Sequence, residues 1–393
     1  MKKDVVMNVM ITGAAGFIGR NLTAMLRTFQ TDQPHPGAKI TIQNIDIITR
    51  HSTRAQWEKS CKRADFVFHL AGVNRAELDR QYRENEILAR NLTENMKRCG
   101  NTCPIMFASS TQAELRPEHN AEYGNSKLLA EEILRKYSKE TGASVYIYRF
   151  PNVFGKWCRP EYNSVIATFC HRIARQQPVI NFAPDRCLQL VYIDDLLQEM
   201  LCALAGVPHR EGEYCVVPVT YSATVQEIED RIQAYDEMLR NLCFVQNFRD
   251  DFDAKLLSTF LSFLPKERLS IVLESHMDER GSFTEMLHKC EFGQVSVNIA
   301  TPLVIKGKHW HHSKWEVFLV VSGFGRIRLR EIDSQNVLET TVSGEHMQAI
   351  IIPPGYVHEL ENISRTEKLV TIIWASESYD PLRPDTYYEE VCL

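Results

Sequence analysis

The chain has 393 residues, 44% of them hydrophobic, and a formal net charge of −5 at pH 7. This length exceeds one compact core and predicts about two domains. The acidic balance argues against a nucleic-acid binder. No run approaches the ~20 continuous apolar residues that a membrane span requires. Its 11 cysteines, an odd number without paired spacing, predict reduced thiols in a cytoplasmic protein.

The N-terminus predicts a dinucleotide-binding turn. A predicted strand, Val5–Thr12, runs into a glycine-rich turn and then into an amphipathic segment, residues 21–30. No A-x-A cleavage pattern follows the apolar run, so we interpret it as a strand rather than a signal peptide. Glycines let the backbone approach a pyrophosphate, whose charge is met by the free N–H groups that begin a helix. The residues predicted to bind the cofactor here are Gly13, Gly16, Phe17, Ile18 and Gly19.

A second predicted strand, residues 39–48, ends where Rossmann-type proteins distinguish NAD from NADP. Asp46 could accept a hydrogen bond from a ribose 2′-hydroxyl. Arg50, with His51 and Arg54 close behind, could instead pair with a 2′-phosphate. Arg50 lies nearer the strand end, so we favour NADPH.

Three further segments follow in order: residues 65–72, ending in Leu70-Ala71-Gly72, residues 107–111, and residues 123–127. Tyr123 and Lys127 are four residues apart and would share a helix face. A nearby ammonium favours the phenolate, so we expect Lys127 to lower the pKa of Tyr123. Tyr123 could then pass a proton to a carbonyl oxygen as hydride arrives. In the reductases that these segments resemble a serine holds that oxygen, which implies Ser110, with Ser109 and Thr111 as alternatives.

These segments resemble an extended short-chain dehydrogenase/reductase, which implies a Rossmann-type α/β fold with a doubly wound parallel sheet. The resemblance gives catalytic roles to Ser110, Tyr123 and Lys127, and Lys127 would also hold the nicotinamide ribose. It also implies cofactor contacts. These fall on Leu70, Ala71, Gly72 and Asn152.

The sequence pattern changes near residue 245. We predict a reductase domain over residues 1–245, a helical linker over residues 246–269, and an antiparallel β domain over residues 270–393, where short strands alternate with Gly and Pro.

The last domain carries a predicted metal site. His309 and His311 are two apart in a predicted strand and can face one ion, and Glu316 and His358 would complete the ligands. Imidazole suits zinc, iron, nickel and copper better than calcium or magnesium, and zinc is our preferred divalent metal. The spacing resembles the two signature motifs of the cupin superfamily, a small jelly roll, except that Gly344 lies too far before the second motif.

The same domain also resembles nucleotide-sugar 3,5-epimerases, through residues 278–285, 294–298 and 306–309. Those enzymes need no metal and use the histidine aligned with His309 as a base. A metal-bound nitrogen cannot collect a proton, so another base is needed if His309 is a ligand. Lys306 is our first candidate, and Glu285 and Tyr356 are alternatives.

The whole chain resembles bifunctional capsular polysaccharide enzymes that take part in UDP-N-acetyl-L-fucosamine synthesis. The resemblance implies that the cupin epimerises C3 of a UDP-linked 4-keto-6-deoxy-hexosamine and that the reductase reduces C4 with NADPH. We expect a homodimer. One alternative is a monofunctional NADP-dependent reductase whose cupin is structural, sugar-binding or dimerising. Another is a redox-sensing binding protein, which intact Ser110, Tyr123 and Lys127 disfavour.

Overall fold

The computed structural model describes residues 5–30, 40–75, 82–114, 121–240, 250–269, 273–290, 293–332, 334–378, 380, 382 and 385–392. The chain divides into two compact units, residues 1–233 with 250–265 and residues 234–249 with 266–393. Within the described ranges, no helix is long and apolar enough to cross a membrane.

Strands and helices alternate at the start of the chain, and short strands and further helices follow before the strand-rich region. The strands are β1 Val5–Thr12, β2 Ile40–Ile48, β3 Phe66–His69, β4 Ile105–Ser110, β5 Val145–Phe150, β6 Asn152–Phe154, β7 Cys187–Tyr192, β8 Arg210–Glu211, β9 Tyr214–Cys215 and β10 Tyr221–Thr224. The helices are α1 Phe17–Thr28, α2 Arg54–Arg63, α3 Arg83–Cys99, α4 Ala121–Thr141, α5 Val165–Ile173, α6 Ile193–Leu204, α7 Val225–Arg240 and α8 Asp251–Leu261.

The main sheet of the first unit has the strand order β2-β1-β3-β4-β5-β9-β8 and is parallel from β2 to β9. The direction of winding reverses at β1, because β2 lies on one side of it and β3 on the other. Such a reversal opens a crevice at the carboxyl ends of the strands, where ligands bind in open α/β sheets.

The sheet core is apolar because helices cover it. Strand residues Met10, Val67 and Ile105 are fully buried and share one hydrophobic cluster with side chains of α3 and α4. Those helices contribute apolar residues three or four apart, which line up on one helix face. They are Ala89, Leu92, Met96, Ala130, Leu134 and Tyr137.

The helix predicted within the linker is present as α8, and it is packed within the first unit. Phe252 lies against Phe154 and Tyr221, with ring centroids 5.6 and 5.4 Å apart. Lys255 Nζ lies 2.9 Å from Asp195 Oδ2. The predicted boundary residues 245, 246 and 270 lie outside the described residues.

The second unit contains two antiparallel sheets with orders β11-β12-β13-β20-β15-β18 and β17-β16-β19-β14-β21. Side chains from both sheets, Phe318 and Leu360 among them, form one buried cluster. The strands are β11 Ser275–Asp278, β12 Gly281–Cys290, β13 Gly293–Ala300, β14 Ile305–Trp310, β15 Glu316–Ser322, β16 Phe324–Glu331, β17 Val337–Ser343, β18 Ala349–Ile352, β19 Tyr356–Asn362, β20 Leu369–Ala375 and β21 Tyr387–Tyr388.

Candidate active site and metal centre

The glycine turn between β1 and α1 packs against the segment after β3. Gly13 has a φ of +79°, and a Cβ there would lie 2.5 Å from the Ala71 nitrogen. A Cβ on Gly19 would lie 2.2 Å from the Gly13 oxygen, so both positions need glycine. Gly16 is the N-cap of α1, and no side chain of a described residue caps this helix. The N–H groups of residues 17–19 are therefore left for an anionic ligand.

The predicted cofactor residues after β3 lie beside this turn. The Thr12 hydroxyl hydrogen bonds to His69 Nδ1 at 2.7 Å and accepts from the Ala71 nitrogen at 3.3 Å. A Cβ on Gly72 would lie 3.1 Å from Lys127 Nζ. The ends of β1, β3 and α4 thus meet at the crevice.

The two residues proposed to distinguish NAD from NADP, Asp46 and Arg50, differ in their surroundings at the end of β2. The Asp46 carboxylate accepts two hydrogen bonds from the guanidinium of Arg63 in α2. Arg50 follows the strand and is exposed. Asp46 is thus paired within the protein, whereas Arg50 is open to solvent, and the role of either residue toward a cofactor stays a prediction.

Ser110 and Tyr123 come together because α4 begins close to the turn after β4. A Cβ on Gly124 would lie 2.1 Å from the Gln112 oxygen, so glycine permits the close approach. The Ser110 hydroxyl interacts with the Tyr123 phenol. Ser109 faces the other way, and its hydroxyl donates to Glu131 Oε1 at 2.5 Å. Thr111 is exposed.

The expectation that Lys127 lowers the pKa of Tyr123 was wrong for this structure. Burial raises the pKa of Tyr123 to about 12, and the hydrogen bond with Ser110 offsets only part of this rise. Lys127 instead donates to the Ala108 oxygen at 2.8 Å. Burial lowers the pKa of Lys127 to about 8, although nearby Glu131 raises it. A protonated phenol is the form that can donate a proton to a ketone oxygen.

Glu131, which the sequence reasoning missed, lies one helical turn after Lys127 and is 1% exposed. It accepts hydrogen bonds from Arg149 Nε at 3.0 Å and Nη2 at 2.9 Å. The spacing of four residues after Lys127 was an available signal, because such residues share a helix face. Glu131 and Arg149 form a buried ion pair beneath the candidate catalytic lysine.

We expect Glu131→Gln to lower the free energy of unfolding by about 3 kcal/mol, because it leaves the Arg149 guanidinium without its counter-charge. Urea unfolding would measure the change. The exposed neighbour Glu132 on the same helix offers a matched control, and Glu132→Gln should change the free energy by less than about 0.5 kcal/mol. Equal stabilities of the two variants would show that the ion pair between Glu131 and Arg149 does not stabilise the fold.

Asn152, also predicted to contact the cofactor, lies in β6. This strand belongs to a separate three-stranded sheet with order β10-β7-β6. The Asn152 amide donates to the Gln189 oxygen at 3.3 Å. Its cofactor role therefore stays a prediction.

The four predicted metal ligands converge in the second unit. His309 lies in β14 and His358 opposite it in β19, while Glu316 begins β15 of the other sheet. One donor atom from each of these residues and from His311 lies within 4.8 Å of all the others. The structure therefore brings the whole predicted set together between the two sheets.

The donor atoms fit a metal ion. Glu316 Oε2 lies 3.2 Å from His358 Nε2 and 3.5 Å from His311 Nε2. All three atoms are buried, yet among the described residues none has a hydrogen-bond partner. Buried polar atoms are normally satisfied, so these three convergent atoms without hydrogen bonds are arranged as the ligands of one metal ion would be. A nitrogen-rich set with one carboxylate suits zinc and other borderline divalent metals.

The electrostatics of the cluster agree with deprotonated ligands. Burial, with His358 and His311 close by, lowers the pKa of His309 to about 3. Burial alone would raise the pKa of Glu316, but His311 and His358 together hold it well below its usual range. A neutral imidazole and a carboxylate are the forms that bind metal.

A residue missed by the sequence reasoning supports His311. The His311 Nδ1 hydrogen bonds to the backbone oxygen of Asp385. A carbonyl can only accept, so Nδ1 carries the proton and Nε2 keeps a free lone pair. No local signal indicated this contact, since 74 residues separate the partners.

A β-bulge places Lys306 on the same face as the metal ligands. In the pairing of β14 with β19, Lys306 lies opposite Leu360 and His309 opposite His358, with a register shift between Gly307 and His309. In a regular strand, residues three positions apart face opposite sides. The bulge is therefore what lets Lys306 and His309 share one face. Lys306 Nζ donates to Asn298 Oδ1 at 2.9 Å in the other sheet. Burial lowers its pKa.

The two alternative bases are placed as follows. Glu285 lies in β12, opposite the buried Ser296 of β13. Its carboxylate accepts a hydrogen bond from Gln294 Nε2 at 3.1 Å. Tyr356 is two residues before His358 in β19, and its backbone oxygen lies 3.3 Å from His358 Nδ1.

Comparison with known proteins agrees with the division of the chain into an N-terminal α/β unit and a strand-rich second unit. Residues 9–216 match the NAD dependent epimerase/dehydratase family, and residues 276–387 match the polysaccharide biosynthesis C-terminal domain. The UDP-2-acetamido-2,6-beta-L-arabino-hexul-4-ose reductase of Pseudomonas aeruginosa is 37% identical over 382 residues, 97% of this chain and 98% of that protein.

Solved structures are also similar to this chain over nearly its whole length. The crystal structure of the capsular polysaccharide assembling protein CapF from Staphylococcus aureus is 39% identical, with a TM-score of 0.84, over 98% of this chain and 100% of that chain. A structure of CapF with the inhibitor 3-isopropenyl-tropolone is 37% identical, with a TM-score of 0.80 and the same coverage.

These matches confirm the predicted Rossmann-type reductase domain followed by a strand-rich domain. The chain belongs to the CapF family of capsular polysaccharide enzymes, whose N-terminal domain is of the NAD dependent epimerase/dehydratase type.

Proposed function

We propose that this chain is a bifunctional nucleotide-sugar enzyme. The second unit, a cupin jelly roll, epimerises C3 of a UDP-linked 4-keto-6-deoxy-hexosamine, and the first unit reduces the C4 ketone with NADPH. The observation that carries the proposed epimerase site is the convergence of three buried ligand atoms without hydrogen bonds, with Lys306 on the sheet face that His309 and His358 share. A reductase centre is built separately around Tyr123. The substrate class is supported by the P. aeruginosa relative, which is named as a reductase of a UDP-linked 4-ulose.

In the reductase step, Tyr123 donates its phenolic proton to the C4 oxygen while Ser110 hydrogen bonds to that oxygen. The glycine turn and Lys127 would hold NADPH, which would supply the hydride to C4, so that the ketone becomes an alcohol as NADPH becomes NADP⁺. The raised pKa of Tyr123 supports this direction, because the phenol stays protonated near neutral pH.

The choice of NADPH over NADH depends on Arg50. We expect Arg50→Ala to weaken NADPH binding by ~1.5–3 kcal/mol, the cost of losing a charged hydrogen bond, and to leave NADH nearly unchanged. Fluorescence titration of both cofactors measures the difference. Arg90→Ala is the control, because Arg90 is also exposed but lies in α3, where its guanidinium donates to Glu86 Oε1 at 2.7 Å. Equal weakening of both cofactors by Arg50→Ala would reject Arg50 and return the choice to Asp46.

In the epimerase step, a base removes the C3 proton, which the neighbouring ketone makes acidic by delocalising the carbanion into an enolate. Reprotonation from the opposite face inverts C3. A divalent metal, preferably zinc, held by His309, His311, Glu316 and His358, would supply Lewis acidity toward the ketone oxygen. Lys306 is the proposed base, since it shares the ligand face and burial lowers its pKa toward the neutral form. Glu285 and Tyr356 remain the alternatives.

The inhibitor bound to a relative supports the metal. A tropolone presents a carbonyl and a hydroxyl oxygen on adjacent ring carbons, which is a chelating arrangement for divalent ions, and 3-isopropenyl-tropolone inhibits CapF.

The proposal also includes a homodimer. Apolar side chains on one face of the six-stranded sheet remain partly exposed. They include Val317, Trp374 and Ile351.

Incubation of the protein with a UDP-4-keto-6-deoxy-hexosamine in deuterated water, with and without NADPH, tests both activities. Without NADPH, mass spectrometry should find one deuterium at C3, above a protein-free control. With NADPH, one cofactor should be consumed for each sugar reduced. Reduction without enzyme-dependent exchange at C3 would favour the alternative, a monofunctional reductase with a structural or sugar-binding cupin.

A further inference from the structure

The end of the chain is built into the metal centre. Residues 385–391, here called the C-terminal strap, run alongside the strand that carries His309. Within the strap, Tyr388 pairs with His309 and Tyr387 with Trp310 in an antiparallel ladder. The rings of Tyr387 and Trp310 stack with centroids 4.9 Å apart. The strap thereby covers the edge of β14 next to two of the four ligands.

Asp385 begins the strap and contacts residues 311–314 through both its backbone and its side chain. Its backbone oxygen accepts the His311 Nδ1 hydrogen bond. Its carboxylate accepts from the backbone nitrogens of His312, Ser313 and Lys314 at 2.8, 2.9 and 3.0 Å. One residue therefore fixes both the tautomer of a ligand and the turn that leads from His311 toward Glu316.

The far end of the strap is held by Arg330, which is 2% exposed. Its guanidinium donates to the backbone oxygens of Glu390 and Val391, each at 2.9 Å. Burying an arginine is costly unless its donors are satisfied. Here the strap satisfies Nε and Nη2, while Nη1 donates to the backbone oxygens of Ile332 and Ser334 at 3.2 and 3.1 Å. The Glu389 nitrogen also donates to the Lys308 oxygen at 2.9 Å, which joins the strap to the bulge of β14.

We infer that the C-terminal strap is a structural part of the metal centre and that Asp385 is a positioning residue for His311. The inference rests on the proposed metal site and goes beyond it, because it assigns metal retention to residues that are not ligands. Groups that hold the second nitrogen of a metal-bound histidine orient the ring and fix its tautomer. Loss of the strap contacts should therefore release metal even though all four ligands remain.

The test compares zinc release from the full-length wild type, Asp385→Ala and Asp380→Ala. Each zinc-loaded protein is mixed with a chromogenic chelator, and the release rate is followed by absorbance. Asp385→Ala keeps the backbone oxygen that accepts from His311 Nδ1, but it removes the carboxylate that anchors this oxygen to the backbone of residues 312–314. We expect this variant to release zinc about ten-fold faster, the lower end of the range for groups behind metal ligands. Asp380 also accepts from a nearby backbone nitrogen, that of Leu382, so Asp380→Ala controls for the loss of an ordinary turn contact. It should stay within two-fold of wild type.

A cobalt-substituted sample gives a second measurement. The visible absorption bands of cobalt report the arrangement of its ligands, so they should shift in Asp385→Ala and not in Asp380→Ala. If Asp385→Ala does not fold, Asp385→Asn, which keeps an acceptor oxygen, should fold and show an intermediate release rate. Wild-type release rates and spectra in a folded Asp385 variant would overturn the inference. Failure of the wild type itself to hold zinc or cobalt would instead reject the proposed metal site.

Discussion

Replacement of Tyr123 by Phe is expected to lower the rate of keto-sugar reduction by about 10²–10⁴-fold, the usual range for loss of a positioned proton donor. The ring and its packing against Tyr82 are kept, since only the hydroxyl is removed. NADPH binding should therefore remain within about two-fold of wild type, because Lys127 and the glycine turn are untouched. Stopped-flow absorbance at saturating keto-sugar measures the reduction, and fluorescence titration measures cofactor binding.

Tyr137→Phe is the matched control for this prediction. Tyr137 lies on the same helix, and its hydroxyl donates to the Asn101 oxygen at 3.0 Å, away from Ser110. Its loss should cost about 1 kcal/mol of stability and leave the reduction rate unchanged. NADPH consumption at the wild-type rate by Tyr123→Phe would remove the reductase assignment from this centre.

Loss of one metal ligand should separate the two activities. His311→Ala or His358→Ala is expected to lower the metal affinity by more than about ten-fold, and to lower the melting temperature of the zinc-treated protein, because binding to the folded state is linked to folding. If the bound metal takes part in epimerisation, deuterium uptake at C3 should stop. Reduction at C4 should continue on a keto-sugar that already has the product configuration at C3.

His346→Ala controls for the loss of an imidazole, since His346 is exposed and lies in the same unit but outside the ligand set. Metal content by elemental analysis and deuterium by mass spectrometry should both match wild type. Undiminished exchange at C3 in a ligand variant shown to be metal-free would assign the metal a structural role. The base would then be sought among His309, Lys306 and Tyr356.

The sequence alone was sufficient for features that depend on short spacings. The strand, glycine turn and helix at the N-terminus follow from residues that are close neighbours, and the predicted strand Val5–Thr12 has the observed bounds. The ligand set was also recognisable, because His309 and His311 are two residues apart in an extended segment. Such features are local, so alternation along a strand and the need for glycine at a tight turn are enough to predict them.

Other features depended on which elements meet in three dimensions. Arg63 pairs with Asp46 from another helix, and Ser109 is taken by Glu131, which leaves Ser110 for Tyr123. Burial, rather than the nearby lysine, sets the direction of the Tyr123 pKa shift. No spacing rule contains these facts, because they depend on packing and on local solvent exclusion.

The proposed metal centre shows the same division most clearly. The sequence was sufficient to predict His309, His311, Glu316 and His358 as its ligands, because each motif places its residues within a short stretch. Only the tertiary structure decided that a bulge turns Lys306 toward them and that Asp385 holds His311 across 74 residues. A single inserted residue reverses the face of every later side chain in a strand, and a contact between distant residues exists only after the sheets have assembled.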